Sequence, residues 1–190
     1  MSAGDGSSTE GGDAYVPLWV KSNYSFLEGS SHPDELMARA QLHGLGTLAL
    51  TDRDGVYGVV RAHVAGQESG VRVLIGSEVT LFDGTSLLLY AMNRAGYAQL
   101  CQLLSRGRRR CQKGESRVSY YEVCACAGGV LAVLPFDRSV LLRAQGRDYQ
   151  APLQQLSEAF GDALYAMVAR HRETSDSKNE QQMRARAAEF

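Results

Sequence analysis

Three carboxylates in this sequence follow short apolar runs. Asp52 and Asp54 stand in Thr51-Asp52-Arg53-Asp54-Gly55, and Glu78 closes Gly76-Ser77-Glu78. Carboxylates delivered by neighbouring strand ends can hold a hard cation such as magnesium. In barrels of parallel strands, the loops at the carboxyl ends of the strands carry the chemistry. Lys21 and Arg53 lie among the same strand ends, so the competing arrangement is an ion-paired cluster in which they supply the neutralising charge. Trp19 and Lys21 share one strand face, because residues i and i+2 point the same way. Two histidines at that spacing would offer two imidazoles to a metal. A charged lysine has three donors and no lone pair, and cannot do so.

Arg106, Arg108, Arg109, Arg110 and Lys113 form a basic cluster. Arginine forks suit phosphate oxygens, so this is the candidate nucleic-acid contact. No aromatic residue is interleaved between 106 and 118, and the competing reading is a solvated loop. His32, His43 and His63 fall in helices or caps and do not form a ligand set. His171, beside Arg170, is read as structural. Tyr24 and Tyr57 follow the first two strand ends, where they pack or line a pocket. Cys124 and Cys126 are two apart on a helix and do not face each other. With Cys101 and Cys111 they are expected to be free thiols in a reducing compartment.

These residues need elements to position them. Tyr15–Lys21 reads as a strand. A helix opens at Ser31 as its cap, with Asp34 and Glu35 in the first turn, an apolar face of Leu36, Ala40 and Leu42, and Gly44 as its stop. Thr47–Leu50 is a buried strand of the parallel kind, and 56–68 a helix ended by Gly70. Val71–Ile75 and Val79–Phe82 are strands, with Asp83-Gly84 turning into Ser86–Ala91. Asn93 caps a helix through Ser105, and 106–116 breaks the pattern. Tyr120–Ala127 is helical, Val130–Leu134 a strand, 139–143 a short helix, Tyr149–Phe160 a helix, Ala163–Val168 a strand and 175–190 a polar helix. Alternation of strand and helix argues an α/β fold with a mostly parallel sheet.

Composition sets the outer limits. The 190 residues fit one domain, with 44% hydrophobic and 22% charged residues as in ordinary globular proteins. A net charge of −1 gives no global attraction to nucleic acid or anionic membrane, so any such contact needs a local patch. No apolar run approaches the roughly 20 residues that span a bilayer. Residues 1–14 lack a basic and an apolar signal region and read as a disordered leader. A cytoplasmic protein is expected.

The order and spacing of three blocks resemble the PHP domain (polymerase and histidinol phosphatase) of bacterial DNA polymerase III α-type chains, nearest to the error-prone branch. The blocks are 22–36 (SNYSFLEGSSHPDEL), 49–61 (ALTDRDGVYGVVR) and 75–81 (IGSEVTL). Gly128-Gly129 and Ala169-Arg170-His171 match more weakly. The resemblance implies an incomplete (β/α)7-type barrel over 15–190, a truncated domain open where later strands would close it. It places metal ligands at Trp19, Lys21, Asp52, Arg53 and Glu78. The family has histidines where this chain has Trp19, Lys21 and Arg53, which leaves Asp52 and Glu78 as vestigial metal positions. No cofactor and no catalytic residue are then expected. The implied role is the N-terminal PHP portion of an error-prone DNA polymerase in DNA replication or repair synthesis, supporting polymerase modules of the same or a neighbouring chain, with DNA reached through them. The alternative is a metal-dependent phosphoesterase or 3′–5′ exonuclease using zinc, manganese or magnesium.

Overall fold

A computed structural model describes residues 15–140, 149–170 and 172–189. Its strands are β1 (Thr47–Leu50), β2 (Arg72–Thr80), β3 (Ser86–Ala91), β4 (Val130–Pro135) and β5 (Leu164–Met167), in one sheet whose spatial order follows the chain. Its helices are α1 (Pro33–Leu42), α2 (Val59–Ser69), α3 (Arg94–Arg110), α4 (Tyr120–Cys124), α5 (Gln150–Phe160) and α6 (Asp176–Ala187). Parallel pairing joins β1 to β2, β4 to β5 and the three isolated bridges; only the β2–β3 and β3–β4 ladders are antiparallel. The result is the expected mixed α/β partial barrel. Among the described residues no helix is long and apolar enough to cross a membrane.

Strand alternation sorts the core into layers. Leu87 and Leu89 of β3 face out to a large core with α3, α4 and α5, whereas Leu88 and Tyr90 face the barrel interior with Ala49 and Val133. A separate cluster of Met37, Ala40, Leu48, Leu50 and Ala62 packs α1 and α2 on β1. The interior is open at one side. A concavity of about 590 Å³ is lined by Leu18, Leu74, Tyr90, Val133, Tyr165 and Met167.

Several elements differ from the sequence expectation. Tyr15–Lys21 is extended but forms only the bridge Val20–Leu50. Its acceptors Pro17 O and Val20 O, three residues apart, serve Ala49 N and Thr51 N, two apart. That mismatch is a bulge, which prevents a continuous ladder. The cap of α1 is His32, one residue later than Ser31. Pro33 takes the first helical position and Glu35 accepts from the His32 N–H at 2.7 Å. Leu42 is exposed, and Met37 takes its place on the buried face. The two strands expected at 71–75 and 79–82 are one, β2, which pairs with β1 along its first half and with β3 along its second. Helix α3 runs on through Arg110, and α4 stops at Cys124, three residues short of Ala127. The short helix expected at 139–143 lies mostly outside the described residues, as do the leader and His171.

Candidate functional site

The loop after Val20 folds back as a turn, with Ser25 N and Gly29 N donating to Ser22 O and Ser25 O. This turn surrounds Asp52 with hydroxyls. Asp52 Oδ1 accepts from Ser22 N at 2.7 Å and Ser25 Oγ at 2.6 Å, and its Oδ2 accepts from Ser22 Oγ at 2.7 Å. Asp52 is buried and both of its oxygens are engaged by neutral donors. Asp54 also turns away from the expected carboxylate set. Its backbone is left-handed (φ 50), and its oxygens accept from Thr80 N at 2.8 Å and Thr80 Oγ1 at 2.7 Å. Burial raises the Asp54 carboxyl above its ordinary value, against the lowering effect of the Thr80 bonds and the Arg108 and Arg53 charges.

Glu78 stands inside β2, not at a strand end, and is fully buried. Its Oε2 accepts from Trp19 Nε1 at 3.0 Å and lies 2.6 Å from Lys21 Nζ. Its Oε1 accepts from Ser86 Oγ at 2.9 Å and lies 3.3 Å from Arg53 and 3.5 Å from Arg138. Burial alone would push this carboxyl up. The bond and charge of Lys21, with Ser86 and Arg53, outweigh burial and hold it below its ordinary value. Trp19 and Lys21 thus share a face, and both donate to the same carboxylate oxygen.

A second carboxylate faces the same cations. Glu28 follows Leu27, an exposed residue in the left-handed region (φ 63), and meets Lys21, Arg53 at 2.8 Å and Arg138 at 3.9 Å. Each of the three cations therefore touches both Glu28 and Glu78. Two carboxylates against three cations leave one positive charge. Lys21 and Arg138 also lie over the Trp19 ring, at 5.8 and 5.5 Å from its centroid. An open pocket of about 530 Å³ is bounded by Trp19, Lys21, Leu27, Glu28 and Arg138.

Among the described residues no group of three or more His, Cys, Asp and Glu side chains could hold a metal ion. The oxygens of Asp52 are committed to serines, and those of Glu78 to ammonium, guanidinium, indole and hydroxyl donors. This donor set does not fit a divalent cation, which would face the three positive charges already there. Sequence reasoning missed Glu28, Arg138 and the hydroxyls of Ser22, Ser25 and Ser86. Arg138 follows β4, more than a hundred residues from Lys21, so no local spacing could have revealed it.

Arg106, Arg108, Arg109 and Arg110 of the basic cluster lie on the last turns of α3, where arginines complement the helix dipole, and Lys113 follows the helix end. Arg106, Arg109 and Lys113 are exposed. Arg108 donates from Nε to Asp54 O at 2.9 Å, and Arg110 pairs with Glu122. Elsewhere, Cys126 Sγ donates to Val123 O, and burial pushes its thiol up to about 11.

The mixed α/β partial barrel agrees with the fold of the PHP domain. Residues 18–171 match that family, and the chain belongs to it. Over 168 residues it is 38% identical to the error-prone DNA polymerase of Rhodopirellula baltica, covering 86% of this chain and 15% of the relative. The error-prone DNA polymerase of Pseudomonas paraeruginosa is 40% identical over 163 residues, covering 86% of this chain and 15% of that one. The chain thus spans about one seventh of the length of these relatives. A Bifidobacterium adolescentis structure, assigned as a metal-dependent phosphoesterase, shares the fold with a TM-score of 0.61 at 16% identity, over 90% of this chain and 83% of that one.

Proposed function

We propose that this chain is the N-terminal PHP portion of an error-prone DNA polymerase, with a metal-free and catalytically silent strand-end site whose role is structural. One observation carries the reading: Lys21, Arg53 and Arg138 each contact both Glu28 and Glu78. Basic side chains supply the counter-charge that clustered carboxylates otherwise take from metal ions. Hydrolysis by this family's route needs metal to generate hydroxide and clamp the phosphate, and the retained Asp52 and Glu78 are instead committed to hydrogen bonds and ion pairs. The domain then serves as a support for polymerase modules of the same or a neighbouring chain, in cytoplasmic replication or repair synthesis.

Elemental analysis of protein purified without chelator tests this. We expect zinc, manganese and iron far below stoichiometry, and a thermal melt that chelator does not move. Near-stoichiometric metal that is lost in Glu78→Ala or Asp52→Ala would overturn the reading and restore a phosphoesterase.

A further inference from the structure

We propose that residues 26–28 form a salt-sensitive latch over the strand-end pocket, held shut by the Glu28 ion pairs against the backbone preference of Leu27. The inference rests on the metal-free reading, because the cations that hold Glu28 are those that replace metal there. The base of the turn is fixed. Ser22 and Ser25 are bonded to Asp52, Asn23 N donates to Ser31 O at 2.8 Å, and Arg53 N donates to Ser25 Oγ at 3.0 Å. Gly29 lies so close to this base that a Cβ on it would stand 2.2 Å from Ser22 O.

The tip has no comparable anchor. Phe26 is 83% exposed and Leu27 is 89% exposed, so burial holds neither side chain. Leu27 has φ 63, a region in which the Cβ of an L-residue crowds the following carbonyl oxygen. Such a conformation persists only where its surroundings over-determine it. Two backbone bonds favour it, from Glu28 N and Gly29 N to Ser25 O at 2.9 and 3.0 Å. The remaining support is the Glu28 carboxylate, which meets Lys21, Arg53 and Arg138. Return of Leu27 to a negative φ redirects the chain after it and takes Glu28 from these cations.

Leu27 and Glu28 are themselves walls of the pocket that Trp19, Lys21 and Arg138 also bound, so release opens its mouth. Lys21, Arg53 and Arg138 are then left with Glu78, which Trp19 and Ser86 hold in place from β2 outward. The Glu28 side chain is 24% exposed, and those of Arg53 and Arg138 are 38% and 43% exposed. Ion pairs this close to solvent weaken as salt screens them.

The test is amide hydrogen exchange at Glu28 and Gly29 in the whole chain, with acrylamide quenching of Trp19, the only tryptophan. Salt is raised from about 0.01 M to about 1 M, over which the screening length falls from about 30 Å to about 3 Å. We expect both amides to exchange faster and Trp19 to be quenched more readily as salt rises, while the Asn23 amide at the base of the turn does not move. Glu28→Gln should behave as open at every salt concentration. Leu27→Gly removes the left-handed penalty and should slow exchange at high salt about fivefold relative to the parent. Circular dichroism melts establish that each variant is folded, and the salt series on the parent needs no variant. Exchange independent of salt, parental exchange in folded Glu28→Gln, or no slowing in folded Leu27→Gly would overturn the latch alone. Chelator added at each salt concentration should change nothing; a chelator-dependent rate would overturn the metal-free reading and the latch with it.

Discussion

At the scale of single residues, Lys21 is the group whose removal should cost most. Its side chain is 12% exposed and touches both carboxylates, while Glu78 is wholly buried. Breaking a buried ion pair leaves a charge without its partner, at roughly 3–5 kcal/mol. Arg53, Arg138, Trp19 and Ser86 still serve Glu78, so Lys21→Ala should destabilise by about 2–4 kcal/mol in urea unfolding. An equal stability of variant and parent would show that the arginines suffice. The acid limb of stability carries a second signature. Glu78 titrates below 4.5 when folded, so its contribution is complete above that value and is lost as pH falls through the folded pKa. Asp54 has the opposite sign: its pKa is raised above 3.8, so its contribution is present below 3.8 and is lost as pH rises. Glu78→Gln, though less stable overall, should therefore show a shallower loss on acidification, and Asp54→Asn a steeper one. Equilibrium unfolding across the acid range measures both slopes.

At the scale of elements, Gly107 shows how packing overrides propensity in α3. Alanine at an interior helix position is ordinarily favoured over glycine by about 1 kcal/mol. Here a Cβ would meet Ser116 Oγ at 2.6 Å, Val118 Cγ1 at 2.9 Å and Arg117 O at 3.2 Å. Overpacking of that kind costs about 1–3 kcal/mol, so Gly107→Ala should lower stability in urea unfolding, whereas on an exposed helix face it would raise it. The same residue explains why the end of α3 was not legible. A glycine followed by Arg108-Arg109-Arg110 reads as a break, yet the glycine is a contact with the 116–118 segment and the arginines are its solvent side. Gly76 misled in the same way. It suggests a strand end, but β2 continues through it, paired with Tyr90 of β3, and a Cβ there would stand only 2.8 Å from Leu89 O and 2.9 Å from Tyr90 Cδ1. The buried runs of β1, β3 and β4 were legible, since apolar residues bounded by turn signals need no knowledge of their partners. Of the site, the cationic character of Lys21 and Arg53 could be read, whereas Glu28, Arg138 and the Arg–aromatic pairs exist only once separate loops meet.

At the scale of the whole molecule, the sheet has an edge. Among the described residues β5 pairs with β4 on one side, and the other side faces an opening of about 820 Å³ bounded by residues 15–19 and 166–170 and by Glu180, Met183 and Arg184 of α6. Residues 15–19 leave the β1 side by the bulge and do not reach across to β5. An unpaired strand offers N–H and C=O groups to any second strand of matching register. The apolar concavity beside it, with Tyr165 53% exposed, adds area that a partner strand would bury. The formal net charge of −1 provides little repulsion between copies. Self-association through β5 should therefore appear in sedimentation velocity as a weight-average coefficient that rises with protein concentration. Tyr165→Lys places a charge on the edge, the device by which edge strands avoid pairing, and should return the protein to a concentration-independent monomer with its melt nearly unchanged. If the parent chain sediments as a monomer across the whole concentration range, the opening is sealed by its own side chains and the edge is not available to a second copy.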